Sequence, residues 1–449
     1  MEIKKGNKQT KAYAKVLSLL DDKSFMEIGE HISARLTSFY APEEVQESDG
    51  VITGYGTIDG NLVYVFAQDG DVMGGTFGEM HGRKIVSVYE HAVRSGAPVI
   101  GLIDCSGFRV EEGLEGLDWF ARLYGWQAYA ADKVPQILCV TGPCGGGMSL
   151  ATGMADFVFI EEENGSLFVS PKSMVAEDGV LDAAAGETSP YDDGVLAWDD
   201  IVSRVKELVG MLPPSADFLP LDAEPTDNLN RLCTGISGKL GDGRAMLTDM
   251  ADDGLFIETK QGRGEDVITG FMRLGGQTVG ACCCNNVDGK SLLSYQGVEK
   301  ISSLVKICSK FDIPVVTVAY AEGYRQTAAD EANLPAAVSG LVSTLLDADI
   351  PQINVIAGNL FGSAYSILSS KGMSADYVFI WDNAQASIIN PEQAVEMING
   401  TYTKEAVEEY KAATSGPLAL ARGGYVDKII KPEETRQYVI GALETFVNR

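Results

Sequence analysis

Two short stretches carry the residue types that could do chemistry. Gly142-Pro143-Cys144-Gly145-Gly146-Gly147-Met148-Ser149 follows an apolar, strand-like run and opens a helical stretch. Glycines there let backbone approach a ligand closely. Unpaired N–H groups at a helix start stabilise negative charge. The chemistry this points to is oxyanion stabilisation, and the bland alternative is close strand–helix packing. Gly358-Asn359-Leu360-Phe361-Gly362-Ser363-Ala364-Tyr365 stands at the same place 216 residues on. Two such turns suit a reaction with two developing oxyanions. A second pair, Gly107-Phe108-Arg109 and Gly323-Tyr324-Arg325, keeps the same spacing. Each lies just past a strand's C-terminal end, where open α/β sheets bind ligands. Arg109 and Arg325 are either ion-paired within the fold or ligand contacts.

The elements that must position these turns repeat too. VITGY from Val51 answers VITGF from Val267, APVI from Ala97 answers IPVV from Ile313, and VPQI from Val134 answers IPQI from Ile350, all 216 residues apart. ADFVFI from Ala155 and ADYVFI from Ala375 are 220 apart, and DDKSFMEI from Asp21 resembles DDGLFIET from Asp252 at 231. A nearly constant offset means two copies of one backbone plan. Within each copy, apolar runs of four to six residues alternate with helical stretches, at His81–Arg94 and Gln296–Lys310 for example. Buried strands joined by crossover helices make an α/β fold. The expected domains are 1–225 and 226–449, split in the Pro- and acid-rich stretch 211–228, which reads as a linker.

Composition bounds the function. The 449 residues contain 35 Lys plus Arg against 63 Asp plus Glu, a formal charge of −28. That field repels nucleic acid and anionic membrane surfaces, and an anionic substrate needs a local basic pocket against it. No run of about 18 apolar residues reads as a membrane span, and the first twenty residues read as a basic lead-in to an amphipathic helix and not as a signal peptide. The eight cysteines include no CxxC pair, so buried reduced thiols in a cytoplasmic protein are expected, with no metal. Of the three histidines, His81 reads as packed or capping. Lys84, matched by Lys300, reads as a solvated or phosphate-facing charge, and the acidic segment 176–200 as a surface loop. Glu111 and Glu112 are the obvious carboxylates near a turn.

As a set, these motifs resemble the carboxyltransferase (β-type) subunits of biotin-dependent acyl-CoA carboxylases and the related decarboxylase α subunits. GPCGGG is similar to that family's GPCAGG, DCSGFRVEEG to DSGGARIQEG, and GGTFGEMHGRKI to its GGS…H..KI segment. VITGFMRLGGQTVG, FGSAYSIL, DYVFIWDNAQASIINPEQAVEMI and GYVDKIIKPEETRQYVIGALE also have counterparts there, so the resemblance runs from about Lys15 to the C-terminus. It implies a tandem duplication of two crotonase-like (ClpP/crotonase) domains, the first serving acyl-CoA and the second biotin. It implies a carboxyl group moved between carboxybiotin on a separate carrier protein and the α-carbon of a short acyl-CoA, with no protein base. By the same resemblance, the amides of Gly146 and Gly147 hold the thioester enolate oxygen. Those of Ser363 and Ala364 hold the biotin ureido oxygen. Gly107, Phe108, Cys144, Gly145, Gly323, Tyr324, Gly362, Tyr365 and Ser366 line the substrate. The implied partners are a biotin carboxyl carrier protein, a biotin carboxylase or a membrane decarboxylase subunit, and further copies of the chain in a dimer-based hexamer. The same subunit run in reverse in a sodium-pumping decarboxylase, or a degenerate acyl-CoA-binding scaffold, are the alternatives. The sequence departs from the family where Phe108 replaces Ala, where Tyr320-Ala321-Glu322-Gly323-Tyr324 replaces DVPGF, and where Ser366 ends a GGAYD motif.

Overall fold

The computed structural model describes residues 10–39, 48–170, 192–218 and 223–446. The chain divides into two compact units, Met1–Leu219 and Pro220–Arg449. The division falls inside the stretch 211–228, a few residues before 225. The described ends of that stretch are pinned: the Ala216 N–H donates to the Lys133 carbonyl at 2.8 Å, and the Ala223 N–H to that of Gly276 at 3.0 Å.

Unit 1 is built on strands β1 (Met26–Glu27), β2 (Val51–Ile58), β3 (Asn61–Gln68), β4 (Val99–Cys105), β5 (Gln136–Gly145), β6 (Phe157–Glu161), β7 (Ser166–Phe168) and β8 (Gly194–Leu196). They pair in the order β1-β2-β3-β4-β5-β6-β8, with β7 on β5. The first three strands run antiparallel, and every pairing from β3·β4 onward is parallel. Helices α1 (Lys11–Leu19), α2 (Glu79–Ser95), α3 (Leu114–Ala130), α4 (Gly147–Thr152) and α5 (Trp198–Met211) complete it.

Unit 2 repeats the plan with β9 (Phe256–Thr259), β10 (Val267–Leu274), β11 (Gln277–Cys284), β12 (Val315–Ala321), β13 (Gln352–Phe361), β14 (Tyr377–Trp381), β15 (Gln385–Ser387) and β16 (Lys428–Ile430). The order β9-β10-β11-β12-β13-β14-β16, with β15 on β13, is the unit 1 order. Its helices include α6 (Gly243–Met250), α7 (Tyr295–Lys310), α8 (Ala328–Asp347) and α9 (Ser363–Leu368).

The repeated motifs have physical reasons. The glycine of each VITG motif sits under the first strand: a Cβ on Gly54 would overlap the Met26 carbonyl oxygen, and one on Gly270 that of Ile257. The apolar runs are buried on both faces, as parallel strands under helices must be. In unit 1, β4 and β5 lie in a core that includes Phe66, Phe77, Ile85, Tyr89, Phe120 and Leu138. All eight cysteines are free and buried, and desolvation raises the thiols.

Three expectations about surface segments change. The end of the acidic segment is ordered: β8 closes the sheet edge, and the Asp193 carboxylate accepts the Val158 N–H at 2.7 Å. Residues 176–191 of that segment lie outside the described residues. Lys84 is not solvated. It is 5% exposed, and its ammonium donates to the Val51 carbonyl; burial lowers its pKa. Lys300, its repeat partner, is 3% exposed.

Candidate active site: a backbone bend at the end of one strand in each unit

Strands β5 and β13 each run into a glycine of positive φ and then directly into a short helix. Gly146 has φ 58° and ψ −126°, and Gly362 has φ 62° and ψ −147°. Side chains rarely adopt that conformation. This single residue turns the chain so that α4 or α9 starts at once. The same bond fixes both bends: the Gly146 N–H donates to the Phe168 carbonyl at 3.1 Å, and the Gly362 N–H to that of Ser387 at 2.9 Å. The short strands β7 and β15 supply those acceptors.

The Gly146 amide is therefore already engaged, and the expectation that it serves as a donor is corrected. The next two N–H groups in each bend are those of Gly147 and Met148, and of Ser363 and Ala364. Among the described residues none of the four meets an acceptor. The first amides to turn inward are those of Ser149, to the Gly146 carbonyl at 3.1 Å, and Tyr365, to that of Gly362 at 3.2 Å. These free donors are the spare N–H groups of a helix start. The free pair in unit 1 is thus Gly147–Met148, one residue later than Gly146–Gly147 and in register with Ser363–Ala364.

The second turn of each unit reaches the same bend. Gly107 and Gly323 have φ of 125° and 139° and open space where a Cβ would stand. Phe108 bridges to Phe77, and Tyr324 to Leu293. The exposed Phe108 ring would lie 3.8 Å from a Cβ on Gly146 and packs edge-on against Phe120, with centroids 4.9 Å apart. In unit 2 the Ser363 hydroxyl donates to the Tyr324 hydroxyl at 3.4 Å. Ser366 is exposed and Tyr365 is half-buried.

Other residues expected at the site belong to the framework. Cys144 is 0% exposed, inside the β-ladder between Cys105 and Leu167, so its side chain lines no accessible surface. A Cβ on Gly145 would sit 2.5 Å from the Phe168 ring, which makes it a packing position. Arg109 is 2% exposed. Its guanidinium pairs with Asp49, pairs with Glu112 at 2.9 Å, and donates to the Thr76 carbonyl at 2.6 Å. That decides between ion pair and ligand contact in favour of the ion pair. Glu112 also accepts the Glu79 N–H at the start of α2, at 2.6 Å, so it is no free acid or base. Arg325 pairs with Asp330 at 2.7 Å. His81 is 0% exposed, with its two ring nitrogens 3.1 Å from Gln68 Nε2 and 2.9 Å from the Asp49 carbonyl. Burial and the Arg109 charge push its pKa down to about 3, so it is a neutral packed residue. Among the described residues, no group of three or more His, Cys, Asp or Glu side chains is placed to hold a metal. No described helix is long and apolar enough to cross a membrane.

Two parallel-dominated sheets, each ending in an amide-bearing bend, define the tandem crotonase-like class of carboxyltransferases. The chain belongs to the carboxyl transferase domain family, whose profile matches residues 4–449. It is 30% identical over 469 residues to a putative propionyl-CoA carboxylase beta chain of Bacillus subtilis, covering 98% of this chain and 90% of that one. It is 29% identical to the methylmalonyl-CoA decarboxylase subunit alpha of Veillonella parvula, again covering 98% and 90%. Transcarboxylase 12S, solved as a hexamer with hydrolysed methylmalonyl-CoA bound, superposes with a TM-score of 0.90 at 26% identity, covering 98% of this chain and 90% of that one.

Proposed function

We propose that this chain moves a carboxyl group between biotin on a separate carrier protein and the α-carbon of a short acyl-CoA. Unit 1 would hold the acyl-CoA and unit 2 the biotin. The reading is carried by one observation: two equivalent bends, each presenting two consecutive N–H groups that no described residue accepts. Bound biotin would supply the mobile carboxyl group. The chain's own work is to orient, to exclude water and to stabilise charge. Gly147 and Met148 would meet the oxygen of a thioester enolate. Ser363 and Ala364, with the exposed Ser363 hydroxyl, fit the ureido oxygen of biotin. No described side chain at either bend is placed as a general base. The arrangement therefore suits a reaction whose proton and carboxyl group move between the two substrates. The partners follow from that chemistry: a biotin carboxyl carrier protein, a biotin carboxylase or a membrane decarboxylase subunit, and copies of the chain in a dimer-based hexamer. Eight unpaired, buried cysteines fit a reducing compartment such as the cytoplasm.

The test is decarboxylation of methylmalonyl-CoA with free biotin as acceptor, and the reverse transfer from a carboxybiotinylated carrier to acetyl- and propionyl-CoA. Biotin-dependent turnover is expected. Turnover that ignores biotin, or none with any short acyl-CoA, would end the proposal.

Phe108 would set acyl size, because its exposed ring stands beside the unit 1 bend. Phe108→Ala opens that space. The KM for butyryl-CoA is expected to fall several-fold while acetyl-CoA kinetics hold, since a few methylenes are worth ~1–3 kcal/mol in an apolar pocket. An unchanged ratio of kcat/KM between the two thioesters would remove Phe108 from the acyl site.

A further inference from the structure

Tyr124 of α3 touches the unit 1 bend from behind. Its hydroxyl donates to the Gly147 carbonyl oxygen at 2.7 Å. That carbonyl belongs to the peptide unit whose N–H is Met148's. The peptides of the described chain are trans, so the C=O and N–H of one unit point in opposite directions. Whatever holds the Gly147 oxygen therefore aims the Met148 N–H. A hydrogen bond to a carbonyl also polarises the peptide and strengthens its N–H as a donor, by about 10–30% per bond.

The far side of the same peptide is held as well. The Met148 side chain is 0% exposed, and its sulfur accepts from Gln68 Nε2 at 3.7 Å. Gln68 Nε2 also meets His81 Nε2, which is neutral. Tyr124 keeps its proton, because partial burial raises its pKa above the ordinary value.

Unit 2 has no such device. The position 216 residues after Tyr124 is Gly340, in α8, with nothing within 4 Å of where its Cβ would be. We propose that Tyr124 is a positioning residue for carboxyl transfer, aiming the Met148 N–H at the thioester enolate in unit 1 alone. The proposal rests on the reading that this bend stabilises an enolate.

Tyr124→Phe in the full chain removes the hydroxyl and keeps the ring beside Phe120. Three quantities decide the matter: kcat and KM for biotin-dependent methylmalonyl-CoA decarboxylation, affinity for propionyl-CoA, and affinity for a nitronate analogue of an acyl-CoA that mimics the enolate. Loss of a whole oxyanion donor costs roughly 10²–10³ in rate, so mis-aiming one should lower kcat about tenfold. KM and propionyl-CoA affinity should stay within about twofold, and nitronate affinity should fall by the same factor as kcat, since the lost interaction acts on the transition state alone. Unchanged kcat and nitronate affinity, or a loss seen equally in propionyl-CoA affinity, overturns the proposal. A wild type that binds the nitronate tightly but transfers nothing to biotin defeats the carboxyltransfer reading and leaves the nitronate comparison to decide Tyr124. If the phenylalanine variant does not fold, 3-fluorotyrosine incorporated at position 124 decides. As a stronger donor in the same space it should raise nitronate affinity, and an unchanged value counts against the proposal.

Discussion

Ser363→Pro should lower carboxyl transfer to biotin by roughly 10²–10³-fold, the loss found when one oxyanion donor is removed, and leave the fold standing. Ser363 is the first residue of α9 and is exposed. Proline suits that position because its fixed φ matches the helix and the N–H it lacks is spare there. The preceding residue is Gly362 with ψ −147°, outside the helical region that a following proline disfavours. The substitution thus deletes one N–H with little else. It also removes the hydroxyl that donates to Tyr324 at 3.4 Å, so Ser363→Ala is the control and is expected to stay near the wild-type rate. Acyl-CoA affinity, assigned to unit 1, should not change. Wild-type transfer by the proline variant would show that this amide faces no developing charge. Gly146→Pro cannot serve as the unit 1 counterpart. At φ 58° a proline breaks the bend whatever the amide does.

The repeat made most of the fold readable before any coordinates. A constant 216-residue offset places each strand, helix and bend of one unit on its partner, because identical spacing leaves no room for a different backbone path. The reading failed where the answer depends on which residue lies across from which. Whether Gly146 or Met148 offers the free amide is decided by the carbonyl of Phe168, in a three-residue strand that shares no letters with its counterpart Gln385–Ser387. Family likeness at GPCGGG pointed to Gly146–Gly147. Keeping the internal register with Ser363–Ala364 would have pointed one residue later. Arg109 and Lys84 show the same limit: residue type signals charge, but burial comes from Asp49, sixty residues away in sequence, and from the Val51 carbonyl. Tyr124 went unnoticed because nothing local marks a tyrosine that meets a carbonyl 23 residues on.

Arg109→Met should destabilise unit 1 by about 3–5 kcal/mol, the usual cost of removing one partner from a buried ion pair. The guanidinium and the Asp49 carboxylate are both almost wholly buried, with side-chain exposures of 1% and 0%. Deleting the cation leaves Asp49 and Glu112 facing each other as buried like charges, and it strips donors from the carbonyls of Asp49 and Thr76. The penalty should depend on pH. Burial already raises Asp49 to about 6 despite Arg109. A carboxyl whose folded pKa exceeds its unfolded one favours the folded state below that value and disfavours it above. Without Arg109 the folded pKa rises further, so the variant recovers more than the wild type as pH falls from 8 to 6. Urea unfolding at those two values reads the difference directly. The equivalent change, Arg325→Met, should cost under about 1 kcal/mol, because that guanidinium is 41% exposed and exposed pairs contribute little. Asp330 also keeps the Thr327 hydroxyl and the Tyr295 N–H as donors. A gap at Arg109 no larger than at Arg325, or one that does not move with pH, would mean that the buried cation is not what holds Phe108 and the start of α2 in place.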